Sequence, residues 1–321
     1  MILRKLGVSL TIFAALVAAF AVFVHFRAAA REAALIAAHP ARGQFITVNG
    51  LRVHYIMAGS GPDLILIHGA SGNALDLTGP LAADLVSQYR VIAFDRPGLG
   101  WSDPIKDDSL KGQALHLSAA AEVLGVTNPI VVGQSYGGAV SLAWALHAPV
   151  KPRALVLISA VSLPWPGDLD IWYRLTASRF GSALIIPIAT AFVPESYIDS
   201  SIMGVFAPAA VPQGYGDAID VGLTLRRSTL RANAAQVNAL RDQIVAMEVR
   251  YAELALPIEM VHGTGDTIVP LKIHSAPFAQ RMPNAHLTVI NGAGHMPHYS
   301  HTDLVIAAIA RAALRSSPQS P

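Results

Sequence analysis

The sequence predicts an α/β fold: a mostly parallel sheet with helices on both faces, interrupted by a helical lid insertion and preceded by an N-terminal hydrophobic helix. Three observations predict it. Short, continuously apolar runs such as "DLILI" (Asp63–Ile67) and "RVIAF" (Arg90–Phe94) recur, as expected of strands buried on both faces. Helix-like stretches lie between most of these runs. One interval, residues 161–256, has no such run and is cut early by Pro164, Pro166, Pro187, Pro194, Pro208 and Pro212.

The elements follow in order. Leu6–Val24 carries no charge and is long enough for a helix to cross ~30 Å of hydrocarbon. Arg4 and Lys5 precede it, and His25, Arg27 and Arg31 follow. Residues 1–30 are therefore expected to form a single-pass membrane anchor. A cleaved signal peptide is the rival reading, with Ala28–Ala30 as the small-residue site and a secreted or periplasmic product. The apolar run exceeds the usual ~7–15-residue signal core, which favours the anchor. Basic residues at both ends leave the orientation open.

"FITVNGLRVHYIMAG" reads as a β-hairpin around Asn49-Gly50. Further strands are expected at Asp63–Ile67, Arg90–Phe94, the run ending at Gly133, Arg153–Ser159, Pro257–His262 and His286–Asn291. Helices are expected at Asn73–Gln88, Leu110–Leu124, Tyr136–His147, Leu271–Arg281 and Thr302–Arg315, the last capped by Thr302. The core would thus comprise residues 44–160 and 257–315, with 161–256 inserted over the carboxyl edge of the sheet and 316–321 a disordered tail. Within the insertion, Leu230, Val237, Leu240, Ile244 and Met247 recur at helical spacing. Trp165, Trp172, Phe180, Phe192, Phe206 and the run Ala183–Val193 make the insertion apolar. As a lid it would line an apolar acyl or alcohol pocket, although most of these groups are expected simply to pack it onto the sheet.

Composition removes several function classes. The 321 residues are 53% hydrophobic and 14% charged, with a net charge of +2 and scattered basic residues. No basic stripe or stacking-aromatic motif points to nucleic acid. Cysteine is absent, which excludes disulfides, thiolate catalysis and Cys-ligated metal.

The chemistry begins at "VVGQSYGGAV". Gly133-x-Ser135-x-Gly137 after a strand and before a helix describes a nucleophile elbow. On so tight a bend, side chains at the two glycine positions would strike the neighbouring strand and helix. Gly138 lets the following helix approach the sheet. Serine needs a base, and "NGAGHMPH" supplies His295 after the last strand. The base needs an orienting carboxylate, and "HGTGDTIVP" supplies Asp266 after the strand before it. A bland alternative for Asp266 is a helix cap, which leaves His295 without a partner. His298 competes as the base. The His295–His298 spacing has no third ligand nearby and no HExxH, so no metal is expected. Gly98 and Gly100 are not followed by the Lys-Ser/Thr of a phosphate loop.

The Ser, Asp, His order and these motifs resemble the α/β-hydrolase family, over about residues 44–315 and most weakly in the insertion. "LIHGASGN" is similar to the family's His-Gly loop after the third strand. By that match His68 and Gly69 support the loop, and the Ala70 amide joins the Tyr136 amide in an oxyanion hole. "FDRPGLGWSD" is similar to the family's Asp-Arg-x-Gly-x-Gly-x-Ser loop, which implies structural roles for Asp95 and Arg96. Family members that act on haloalkanes or epoxides use aspartate at the elbow, and Ser135 disfavours both. The resemblance implies a serine hydrolase, needing no cofactor, with Ser135, Asp266 and His295 catalytic and a small apolar ester as substrate. Carbon–carbon bond hydrolysis or cofactor-free perhydrolysis on the same fold is the alternative. A catalytically silent ligand-binding protein is the alternative from a different class.

Overall fold

The computed structural model describes residues 2–317. Helix α1 (Ile2–Ala38) precedes β1 (Gln44–Val48), β2 (Leu51–Ala58) and β3 (Asp63–Ile67). Then α2 (Ala74–Leu85), β4 (Arg90–Phe94), α3 (Leu110–Val123), β5 (Ile130–Gln134), α4 (Tyr136–His147) and β6 (Ala154–Ile158) alternate. A helical segment follows, made of α5 (Ile171–Ala177), a π-turn (Gly181–Ile185), α6 (Ile186–Phe192), α7 (Glu195–Phe206), α8 (Tyr215–Ala218), a 3-10 turn (Val221–Leu225) and α9 (Arg227–Glu248). The chain closes with β7 (Ile258–Gly263), α10 (Ser275–Arg281), β8 (Ala285–Ile290), α11 (Pro297–Ser300) and α12 (Thr302–Arg315). Residues 318–321 of the expected disordered tail lie outside the described residues.

The eight strands form one sheet in the order β1-β2-β4-β3-β5-β6-β7-β8. The β1–β2 and β2–β4 pairs are antiparallel and the rest are parallel. The hairpin expected at Asn49-Gly50 is present, with both residues at positive φ. Alternate residues of the central strands serve opposite faces. Ile65, Ile67 and Val131 pack under α3 and α4, whereas Leu64, Leu66 and Val132 pack under α2 and α12. That double burial is why these strands read as unbroken apolar runs.

Three helices differ from expectation. Thr302 does not cap the last one: it is the first residue of α12, His301 stands at the cap position without a side-chain cap, and because α11 ends just before it the Thr302 hydroxyl donates back to His298 O at 3.0 Å. The helix expected from Leu271 begins only at Ser275. Pro277 has no N–H to give to the carbonyl four residues back and its ring would clash there, so the helix starts where proline falls in the unbonded first turn. The helix containing Leu6–Val24 runs on to Ala38. Its second half is docked: Glu32 accepts hydrogen bonds from Arg227 at Nε and Nη2, at 3.0 and 2.6 Å, and from the Arg227 amide at 2.6 Å.

The helical segment is stitched to the loops beyond the sheet's carboxyl edge. On α9, Val237, Leu240, Ile244 and Met247 are buried as their spacing predicted, and Leu230 is half-buried. The same face also buries Asn233 and Gln236. Asn233 Oδ1 accepts from the Ser71 amide at 2.8 Å, and Gln236 Nε2 donates to Pro97 O at 2.8 Å. Further along, Tyr215 donates its hydroxyl to Asp76 at 2.9 Å.

Candidate active site

β5 ends at Gln134 and α4 begins at Tyr136, which leaves Ser135 alone to turn the chain. It does so at φ 53° and ψ −118°, a region that L-residues rarely occupy. The flanking glycines are required on both sides. A Cβ at Gly133 would meet Ser141 Oγ and the Gly137 carbonyl, and one at Gly137 would meet the Ile67 and His68 carbonyls. The backbone is held in place by Ser135 N donating to Ile158 O at 2.9 Å and by Ser135 O accepting from Gly138 N at 3.0 Å. The Tyr136 amide is the first of the helix and has no intrahelical acceptor. Neither it nor the Ala70 amide has a hydrogen-bond acceptor among the described residues.

The loop bearing Ala70 is fixed by buried polar contacts. His68 Nδ1 donates to Gly69 O at 2.9 Å, and its Nε2 accepts from the Arg96 amide at 2.9 Å. Burial first, then the nearby Arg96 charge, pushes the His68 pKa down to about 4, so the ring is neutral and structural. Arg96 is fully buried. It donates to Gly69 O at 3.1 Å, Gln113 Oε1 at 3.0 Å and Gln236 Oε1 at 2.9 Å, and lies 4.1 Å over the Tyr136 ring. With no carboxylate partner among these contacts, burial brings its pKa down to about 10. Asp95 ties the loops together by accepting from His54 Nδ1 at 2.7 Å, Ala74 N at 2.7 Å and Trp101 N at 2.6 Å.

Asp266 and His295 meet, although 29 residues separate them. His295 Nδ1 donates to Asp266 Oδ2 at 2.8 Å. Asp266 Oδ1 accepts from the Ile268 and Val269 amides, each at 2.9 Å. A second histidine, His262, lies 3.2 Å from Oδ2 through Nε2 and places Nδ1 2.7 Å from Ser275 Oγ. Burial alone would raise the Asp266 pKa. The hydrogen bonds from His262 and His295, the His295 charge and the Val269 amide outweigh it and hold the carboxyl well below its usual range.

Ser135 is brought to this pair by its neighbour rather than by its own hydroxyl. Gln134 Nε2 stands 3.3 Å from His295 Nε2, and Ser135 Oγ makes no hydrogen bond among the described residues. The Gln134 amide also lies over Gly69, where a Cβ would collide with Oε1 and crowd Ser135 Cβ at 3.2 Å. Ser135 is 8% exposed and His295 is 5% exposed. His298 belongs elsewhere: it faces Asp76 of α2, 4.0 Å away, whereas the histidines paired with Asp266 are His262 and His295. Sequence reasoning missed Gln134 and His262. Gln134 adjoins the elbow and His262 ends a strand beside Asp266, so position alone marked both as neighbours of the site. Among the described residues no group of three or more His, Cys, Asp or Glu is gathered to hold a metal ion.

A strained serine between a strand and a helix, with a buried Asp–His pair from the last two strand ends, defines the hydrolases of this doubly covered sheet. The alpha/beta hydrolase family model matches residues 64–308, and the chain belongs to that family. An uncharacterised protein of Mycobacterium tuberculosis is 31% identical over 266 residues, covering 80% of this chain and 76% of that protein. The 2-hydroxymuconate semialdehyde hydrolase of Pseudomonas putida is 26% identical over 275 residues, covering 82% and 91%. The crystal structure of an alpha/beta hydrolase fold protein from Burkholderia ambifaria superposes with a TM-score of 0.71 at 24% identity, covering 84% of this chain and 97% of that one.

Proposed function

We propose that this protein is a membrane-anchored serine hydrolase of carboxylic esters with apolar acyl or alcohol groups. The observation that carries it is the Asp266–His295 pair delivered against the Gln134–Ser135 bend. Ser135 Oγ attacks the ester carbonyl while His295 Nε2 takes its proton. Asp266 keeps the other proton on Nδ1 and stabilises the imidazolium. The carbonyl electron pair moves onto oxygen, where the unpaired Ala70 and Tyr136 amides receive it. Collapse expels the alcohol, which takes the proton from His295 and leaves an acyl group on Ser135. Water then attacks that acyl group with His295 as base, releasing the acid and restoring the serine. For the first step the Gln134 amide must leave the imidazole lone pair and the serine hydroxyl must take its place.

The helical segment 161–256 acts as a lid in this reading. Its support is the set of α9 and α8 contacts to the Ser71, Pro97 and Asp76 loops. The anchor reading draws support from the docked second half of α1: cleavage at Ala28–Ala30 would cut a helix within a turn of its ties through Arg27 and Arg31. A second reading, carbon–carbon bond hydrolysis, is favoured by the Pseudomonas relative's name. It uses the same serine and base on a ketone.

The test is labelling of the full chain by a fluorophosphonate, with hydrolysis of short p-nitrophenyl esters. Wild type should react and Ser135→Ala should not. Equal behaviour of the two ends the serine mechanism. Turnover of a dienoate diketone in preference to every ester would select the second reading.

A further inference from the structure

Helix α1 leaves the protein body at one place. Val24 and Ala28 are buried against Ala191 at the end of α6. Arg27 Nε donates to Ala191 O at 3.0 Å, and Arg31 donates to Thr190 O at 3.3 Å and Val193 O at 2.7 Å. These carbonyls lie at the end of α6, where backbone acceptors lack helical partners. The two arginines therefore cap α6 from α1. Glu32 with Arg227, and His39 and Arg42 with Asp220, continue the joint. The direction in which α1 projects is thus set by the helical segment over the site. Ahead of that joint, Leu10, Ile12, Phe13, Leu16, Val17 and Phe20 are 50–72% exposed.

The helical segment carries its own exposed apolar groups beside that exit. Phe192 lies with its ring 6.2 Å from Phe23. Along the same stretch Phe180 is 82%, Ile171 is 62% and Leu184 is 60% exposed. Exposed Arg174 and Arg179 stand among them. The opposite faces of these helices bury Thr176, Ile186, Ala189 and Thr190 in the protein. The Gly181–Phe192 stretch spans about 18 Å, too short to cross a bilayer, and one of its faces is already taken. One-sided helices of this kind lie in the plane of an interface. If residues 9–22 occupy hydrocarbon, the boundary falls near Phe23, and Phe192 lies at the same level.

We propose that the outer face of α5–α6 lies in the interfacial layer of the bilayer that α1 enters, so that the cover of the site is itself the membrane contact. This rests on the reading of α1 as a spanning anchor. Two separate apolar surfaces are then buried by one partner, a lipid surface, and the substrate class narrows to esters dissolved in lipid. The covering helices need not open into water to admit such a substrate.

The chain has no cysteine, so single cysteines can be introduced into the full-length protein and labelled with an environment-sensitive dye. Leu16→Cys reports the span, and Phe180→Cys and Leu184→Cys report the proposed face. Val249→Cys is the control, since Val249 is 78% exposed just past the end of α9 that lies ~33 Å from Arg227. In phosphatidylethanolamine–phosphatidylglycerol vesicles, dye at 16, 180 and 184 should lose most of its emission to doxyl-labelled lipid, and dye at 249 should lose it to aqueous iodide. Quenching at 16 with iodide-accessible 180 and 184 overturns the proposal and leaves the anchor standing. Lipid quenching at 180 and 184 without quenching at 16 overturns the anchor and, with it, the proposal as it rests on α1. Dye at 180 and 184 shielded from both quenchers marks a protein–protein interface and overturns the proposal. Phe180→Asp with Leu184→Asp should slow hydrolysis of a long-chain ester in vesicles several-fold and leave a soluble short ester unaffected. Equal loss on both substrates assigns these residues to the lid's own fold and counts against the proposal.

Discussion

The Gln134 amide stands 3.3 Å from His295 Nε2, on the one imidazole nitrogen that Asp266 does not engage. With the Nδ1 proton committed to the carboxylate, Nε2 presents a lone pair, and the amide N–H donates to it. In the proposed mechanism Gln134, next to the nucleophile, thus competes with Ser135 for the base. A net hydrogen bond of about 1 kcal/mol is roughly fivefold in rate. Gln134→Met fills similar space without the donor. Its second-order rate of fluorophosphonate labelling should rise by about that factor, measured against wild type at equal protein concentration.

Asp266→Asn should leave the fold intact and lower kcat by about 10⁴, because the amide favours the wrong imidazole tautomer. Steady-state hydrolysis of p-nitrophenyl acetate measures it. A loss under tenfold would remove Asp266 from the mechanism and make its hydrogen bonds structural.

Asp266 also predicts a pH dependence of stability. Its folded pKa is depressed below the ordinary 3.8, so its ionised form stabilises the native state. That contribution is fully present above the ordinary value and is lost as the pH falls below 3.8 towards the folded value. Thermal melts of wild type and Asp266→Asn should therefore differ most at neutral pH and converge on acidification.

Gly69→Ala places a methyl group against Gln134 Oε1 and Ser135 Cβ. The amide would be pushed from its site and the elbow crowded. Overpacking of this kind costs about 1–3 kcal/mol, to be read from the denaturation midpoint. Labelling of Ser135 should slow as well, because crowding at Ser135 Cβ outweighs the release of His295 from the amide.

Glu32 and Arg227 join α1 to α9 across 195 residues. Both side chains are mostly covered, with 17% and 18% exposure. The Arg227 hydrogen bonds and charge hold the Glu32 carboxyl below its usual pKa against the opposing effect of burial. A double-mutant cycle of Glu32→Gln and Arg227→Gln should give a coupling of about 1 kcal/mol that weakens with added salt.

The sheet was legible because each central strand is buried on both faces, so its burial appears as an unbroken apolar run in a local window. The elbow was legible because its sterics act between residues two apart: Gly133 and Gly137 are visible as glycines wherever the chain later folds. Ser135, Asp266 and His295 could be nominated in order because each follows a strand end. Other features depend on groups far apart in sequence. His298 reads in sequence as a second histidine three residues from His295, but it lies on α11, and only the path of α2 gives it Asp76 in place of Asp266. The docking of α1's second half depends on where Arg227 and the end of α6 arrive, and no period in residues 25–38 encodes that. Gln134 reads as the last residue of a strand, and its amide reaches His295 only because Gly69 leaves room for it. Periodicity reports which face of an element is buried. Which groups then share that buried space is decided by tertiary packing, since contact energies act between side chains that the chain brings together from a distance.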